Sequence, residues 1–322
     1  MGAFVFRVFY RSLALMIASA FAGSVVIFLL LRMVGGDIAT IMLGTKATPE
    51  SLALLREAFG LNRSWLEQYL SWIGGVFRGD LGESYTGQYV IGTEIAQRLE
   101  PTLILTFGSL LISIPIALMV GVYSAINFKR WRGVSVDVLA QVGLAIPQFF
   151  LALVFVIVFA VRLGWLPATG YVSVSIDPLV AFQSMVLPIT TLSLGITAVF
   201  TRFVRTSMIE QMNEDYMRTA KAKGHTVRSA AIVHGLRNSA IPITTTGVLQ
   251  IGALMAGSVV VENVFGIPGI GRLLLTSVMT REAITVQSLA LVILLIILAM
   301  NLLIDLLYGF LDPRIRHKEG RK

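Results

Sequence analysis

Apolar residues dominate six stretches of the chain, at 13–31, 102–126, 138–161, 185–204, 243–261 and 284–307. Each is close to the ~20 residues that a helix rising 1.5 Å per residue needs to cross a bilayer. Between the first two, Leu52, Leu55 and Phe59, then Leu66, Tyr69, Leu70, Ile73 and Phe77, recur at helical spacing. The pattern predicts an all-α membrane protein with six transmembrane helices. The last stretch contains Asp305 and tests the reading. Twelve Leu, Ile and Val residues between positions 289 and 304 contribute about −4 to −7 kcal/mol, against at most about +3 kcal/mol for one carboxylate. Insertion wins. Arg7, Arg11 and Ala18-Ser19-Ala20 resemble parts of a cleaved signal, yet the apolar run continues to Leu31, too long for a signal core. A retained first helix is expected.

The punctuation between the stretches predicts two further ordered segments. In 34–100, Thr48 is an N-cap with Pro49 at N1 and Gly60 at C′, and Ser64-x-x-Glu67 is a capping box. Gly79 to Gly82 reads as a turn. This segment is either a small helical cap on the membrane or a docking surface for an outside partner. In 206–241, Asn213 is expected to cap a short helix with Glu214 and Asp215 in its first turn, Lys221 and Lys223 in its last, and Gly224 at C′. Thr226 is expected to cap a following helix that runs into Ala240. The small Ala220 and Ala222 permit close approach by another surface, and the charge order and caps make a rigid protrusion. A solvated connector is the plainer alternative.

Composition sharpens the class. Of 322 residues 56% are hydrophobic and 14% charged, whereas soluble domains carry about 25% charged residues. The absence of cysteine excludes disulfides, thiolate metal sites and cysteine nucleophiles. The net charge of +8 is a topology signal: seventeen Lys and Arg residues fall on the side of the N-terminus and nine on the other. The positive-inside rule then puts both termini in the cytoplasm, and nucleic acid is not needed to explain the charge.

Missing chemistry narrows function. There is no Gly-x-x-x-x-Gly-Lys-[Ser/Thr] loop and no His-Glu-x-x-His, and the three histidines, His225, His234 and His317, lie in cytoplasmic segments. No catalytic or metal-binding residue is expected. Asp305 is the one carboxylate expected at membrane depth, with Asp137 and Glu262 near boundaries, too few for an evident ion relay. The fourth and fifth stretches are rich in polar and small residues, among them Thr191, Ser193, Gly195, Thr245 and Gln250, which suit helix contact or a wet pathway.

Six motifs in order carry a resemblance that covers essentially the whole chain. They are Gly35-Gly36-Asp37 after the first stretch, Arg78-Gly79-Asp80-Leu81-Gly82, Arg162-Leu163-Gly164-Trp165-Leu166-Pro167, Glu214 to Gly224 with His234, Arg237 and Pro242, Glu262-Asn263-Val264-Phe265 with Pro268-Gly269-Ile270-Gly271-Arg272, and Leu311-Asp312-Pro313-Arg314. On these the chain resembles permease subunits of bacterial ABC importers of the dipeptide, oligopeptide and nickel family, in the first-permease form with a long loop after the first helix. Gly35-Gly36-Asp37-Ile38 departs from that family's usual Pro-Gly-Asp-Pro. The resemblance implies a type I ABC importer permease fold in the inner membrane, divided into 1–33, a periplasmic segment 34–100 and a core 101–322 carrying the coupling segment 206–241.

It implies half of a translocation pathway for peptides or similar small solutes, paired with a sister permease as a heterodimer. Two ATPase subunits would drive it and an extracytoplasmic binding protein would feed it. No cofactor is expected on this chain, ATP and Mg being held by the partners. Coupling residues carried over are Glu214, Asp215, Tyr216, Arg218, Ala220, Lys221, Gly224 and His225, with Ala220 small so as to enter an ATPase groove and Gly224 needing φ > 0. Docking or gating residues carried over are Gly36, Asp37, Asp80, Glu262, Phe265, Pro268, Gly269 and Gly271. The competing class is an ion-coupled secondary transporter or channel acting without ATPase partners, which broken half-helices or internal repeats would favour.

Overall fold

In the computed structural model the helical pattern becomes thirteen α-helices among the described residues, which are 2–34, 38–43, 47–58, 60–85, 87 and 89–311. Four helices are long and apolar enough to cross a membrane: α1 (Gly2–Val34), α5 (Ile91–Ile126), α8 (Pro178–Met212) and α13 (Ala283–Leu311). A bent pair, α6 (Trp131–Ala145) and α7 (Gln148–Phe155, prolonged by π-helical turns to Arg162), makes a fifth when taken as one crossing. The run expected at 243–261 lies in α11 (Leu236–Val264), of which the stretch Gly252–Val264 alone is shorter than a span. Among the described residues there is no strand, and Glu83 and Val90 form an isolated bridge. The side chain of Asp305 and the motifs at Gly36, Asp37 and 312–322 lie outside the described residues.

One expected span is corrected. The stretch 138–161 is not a single helix but breaks at Pro147, and its two halves meet at 93°. Proline has no N–H to continue the ladder and pushes the preceding residue out of the α region. Ile146 accordingly takes φ −78°, ψ 119°, and Pro147, with ψ 136°, stands as the N-cap before α7. Counting apolar residues alone passes over that break.

The chain divides into two compact units, 1–100 with 272–306, and 101–271 with 307–322. In the first, α1 and α4 (Trp65–Phe77) share an aromatic cluster in which Phe28 meets Tyr69 edge-on at 5.5 Å and stacks on Trp72 at 6.3 Å. The Ser24 and Tyr69 hydroxyls lie 2.9 Å apart, so the buried phenol is satisfied. The capping box forms as expected: the Ser64 hydroxyl accepts from the Glu67 N–H, and the Glu67 carboxylate accepts from the Ser64 N–H at 2.9 Å. Those hydrogen bonds hold the Glu67 carboxyl below its ordinary value. Pro49 opens α3 (Pro49–Ala58) behind Thr48, and Gly60 follows it with φ +62°.

In the second unit the contacts are made by small residues. Ser109, Ser113, Ala117 and Gly121 recur every four residues along α5, giving a stripe on which α8 packs closely. The Ser113 hydroxyl donates to the Ser193 carbonyl at 3.0 Å and that of Ser109 to Ile189 at 3.3 Å. A Cβ on Gly121 would lie 2.7 Å from that of Val204. The hydroxyls of Thr190 and Thr191 donate to carbonyls one turn back in α8, at 2.6 and 2.8 Å. Much of the polarity read in the fourth stretch is therefore spent on packing. Leu192, Ile196 and Phe200 of α8 meet Leu254 of α11 in the core, and Arg205 pairs with Asp137 across α8 and α6 at 3.6 Å.

Candidate functional site

The segment after α8 is a short helix with two different faces. Helix α9 (Asp215–Ala222) carries Asp215 in its first turn and Lys221 in its last, each complementing the helix dipole. Its N-cap is Glu214 in extended backbone, not Asn213 as expected; Asn213 is the C-cap of α8. Only these two residues separate the helices, and the first is consumed in ending α8. The C-terminus closes as expected on Gly224, whose φ is +90°. The Gly224 N–H donates to Lys221 at 3.0 Å and the His225 N–H to Ala220 at 3.2 Å, the paired bonds of a left-handed helix stop. Thr226 then caps α10 (Val227–Ala230), accepting from the Ser229 N–H at 3.2 Å, and π-helical turns at Ala231–Gly235 carry the chain into α11.

Met217 and Ala220 form the inner face, fully buried and 6% exposed respectively, packed with Val204, Met208, Ala230 and Ala231. Ala220, expected to be small so as to enter an outside groove, is here packed into the chain's own core, which by itself calls for a small side chain. The outer face carries Asp215, Arg218, Thr219 and Lys221, with Arg218 and Asp215 paired at 3.5 Å in full exposure. Such a pair contributes little stability, so these charges stand available to a partner. Tyr216 is half-buried and donates to Gln211 Oε1 at 2.8 Å, tying α9 to the end of α8. Glu214 is exposed. His225 is exposed too, its Nδ1 3.1 Å from the Ser229 hydroxyl and its ring edge-on to His234 at 5.6 Å.

A second group sits at the other end of α11. The helix stops at Val264, Phe265 caps it in a buried position, and Gly266 follows with φ +64°. The half-buried Pro268 precedes α12 (Ile270–Met279). Glu262 is fully buried and accepts from the Thr102 hydroxyl at 2.8 Å, while that same hydroxyl accepts from the Ile270 N–H at 2.9 Å. The carboxylate is thus linked through Thr102 to the first turn of α12, where the helix dipole favours negative charge. A Cβ on Gly269 would overlap the Glu262 carboxylate, and one on Gly271 would lie 2.8 Å from Val259 Cα. The buried carboxylate accounts for Gly269, while Gly271 answers first to the close approach of Val259, with Glu262 Oε2 3.0 Å from the same point.

In the first unit Asp80 is exposed, and its Oδ1 accepts from the Gly82 N–H at 2.8 Å. The loop beyond it is clasped to the start of α13. Ser84 donates to Glu282 Oε1 at 2.7 Å, Thr285 donates to Glu282 Oε2 at 2.7 Å, and Ser288 donates to the Leu81 carbonyl at 2.7 Å. Burial pushes the Tyr85 hydroxyl up to about 12, with the Arg32 guanidinium opposing. Sequence reasoning missed Glu282. A signal was present in Thr285 three positions later at the head of an apolar run, a spacing that lets the two side chains meet over the first turn.

Residues 114–317 match the family described as the inner membrane component of binding-protein-dependent transport systems, and residues 1–106 match that family's N-terminal component. The chain belongs to this family of ABC importer permeases. The permease is 37% identical over 303 residues to the glutathione transport system permease protein GsiC of Escherichia coli K-12, covering 94% of this chain and 96% of the relative. GsiC of Shigella dysenteriae serotype 1 matches to the same extent. A protein of Brucella abortus strain 2308, provisionally named a peptide transport system permease, is 35% identical over 294 residues, covering 91% of this chain and 94% of the relative. The permease is accordingly a multi-pass inner-membrane subunit of a binding-protein-dependent importer, and its family transports rather than catalyses.

Proposed function

We propose that the permease crosses the membrane six times with both termini in the cytoplasm and forms half of a pathway for peptides or glutathione-like solutes, beside a sister permease. Two ATPase subunits engage α9 and supply the ATP and Mg chemistry, and this chain binds no cofactor itself. An external binding protein engages the opposite side, to which 34–100 and the turn from Glu262 to Gly271 contribute. The names of the relatives, a glutathione and a peptide transport permease, support the solute class, and the basic residues concentrated around 206–241 support the orientation.

The observation that carries the coupling reading is the two-sided α9. Its inner face is anchored by Met217, Ala220 and the Tyr216 bond, so a push on the outer face moves α8 and α11 rather than bending a loop. The residues in contact with the ATPase are then Glu214, Asp215, Arg218, Lys221 and His225. Ala220 and Gly224 act from inside, by seating and ending the helix. Gly36, Asp37, Asp80, Phe265 and Pro268 belong to the docking and gating side, with Glu262, Gly269 and Gly271 holding the geometry of its turn.

Reversing both outer charges, Arg218→Glu with Lys221→Glu, leaves these exposed positions compatible with folding. The expected result is normal insertion, loss of the co-purifying ATPase and at least a tenfold fall in solute uptake. Retained ATPase with unchanged uptake would overturn the coupling role of α9. The bend at Pro147 is the kind of feature a secondary transporter uses, and uptake that survives ATP depletion but collapses with an ionophore would favour that class.

A further inference from the structure

At the end of α5 adjoining the α9–α10 segment lies an open groove of about 1110 Å³ with two kinds of lining. Its rim holds Lys129, Arg130, Arg132, Lys221 and Arg228, and none of the described lining residues is acidic. None of the five forms an ion pair among the described residues. Its floor is apolar, built by Leu118, Met119, Val122 and Ile126 along α5, by Ile232 in the π-helical turns and by Leu236 at the start of α11.

Depth and rim chemistry together identify the occupant. Leu118 precedes Ile126 by eight residues on a membrane-crossing helix, so the floor runs about 12 Å into the apolar layer. The rim is an interfacial band: Trp131 is 75% exposed, Arg132 stacks over its ring, and Lys129 lies over Phe128. Exposed aromatic residues interleaved with Lys and Arg mark the headgroup level of a bilayer. A water-borne acidic loop would complement the rim but leave the floor uncovered. A lipid satisfies both, with its phosphate among the cations and an acyl chain along α5.

We propose that this groove seats one anionic glycerophospholipid against the coupling segment. The bound lipid contacts Lys221 and Arg228 as well as α5, so it bridges the elements that a movement of α9 would shift. The assignment is independent of which solute crosses and of which face is cytoplasmic, because it depends only on the level of the rim.

The test is native mass spectrometry of the assembled transporter, purified in detergent and titrated with palmitoyl-oleoyl phosphatidylglycerol or the corresponding phosphatidylcholine. Wild type is expected to retain one phosphatidylglycerol saturably while phosphatidylcholine fails to compete. The variant K129Q/R130Q/R132Q, altered only at exposed rim positions, is expected to bind it at least tenfold more weakly. Val122→Trp, which fills the floor and leaves the charges, is expected to abolish retention. Equal binding by the rim variant, equal retention of phosphatidylcholine, or retention unchanged in Val122→Trp would each overturn the proposal. So would retention of the lipid only after the ATPase subunits are stripped from the transporter, which would make a protein segment the occupant in the assembly.

Discussion

Gly224→Ala isolates a single physical variable at the end of α9. No heavy atom lies within 4 Å of where the new Cβ would sit, so the methyl group meets nothing. What it does meet is its own backbone, because φ is +90°. Holding an L side chain in the left-handed region costs about 1–2 kcal/mol, which weakens the closed cap about 5- to 30-fold relative to a frayed one. Two amides report on that closure directly, those of residues 224 and 225, bonded to the carbonyls of Lys221 and Ala220. Hydrogen exchange on the purified transporter is expected to show both amides exchanging about 5- to 30-fold faster in Gly224→Ala. Gly224→Asn should fall between, since asparagine tolerates this conformation better than other side chains. The first turn of α9 should keep its protection, since Met217 remains fully buried. Unchanged protection at 224 and 225, or loss spreading through α8, would refute the argument. Uptake is expected to follow the same order, Gly above Asn above Ala.

Two further outcomes follow from caps in the first unit. Arg281 occupies a helix stop after α12 with φ 57°, and the Glu282 N–H bonds to Ser277 at 2.8 Å. Arg281→Gly relieves that strain at some cost in unfolded-chain entropy, and should raise resistance to denaturation by about 0.5–1 kcal/mol; a lower unfolding midpoint in detergent would contradict it. The Glu67 carboxyl is held below its ordinary value of 4.5 by the Ser64 N–H and hydroxyl. A lowered folded value means the capping contribution is present above 4.5 and lost as pH falls through the folded value. Wild type and Glu67→Ala should therefore converge in stability on acidification, and a constant difference would exclude the capping box as its source.

Much of the candidate site was legible because its signals are local. The glycine stops at 60 and 224, the turn at Gly79 and the cap residues Ser64 and Thr226 appear where their spacing placed them, since a cap needs only the next few N–H groups. Asn213 was misplaced because two helices compete for a two-residue connection, and spacing alone does not say which end claims it. The α5 stripe of Ser109, Ser113, Ala117 and Gly121 went unread against a background of apolar residues, although its four-residue period was there to see.

By itself the sequence determined that this chain is helical and membrane-spanning, where several of its helix ends fall, and which family it belongs to. Those properties follow from apolar length, from capping chemistry and from motif order, none of which requires a distant partner. Only the tertiary structure decided that Ala220 faces inward and Arg218 outward, that Pro147 turns one expected crossing through 93°, and that Gly269 makes room for Glu262 and Gly271 for Val259. It also joined Ser84 to Glu282 across 198 positions. Burial and close approach are properties of surfaces brought together by folding, and one helix read along its own length does not contain the surface it meets.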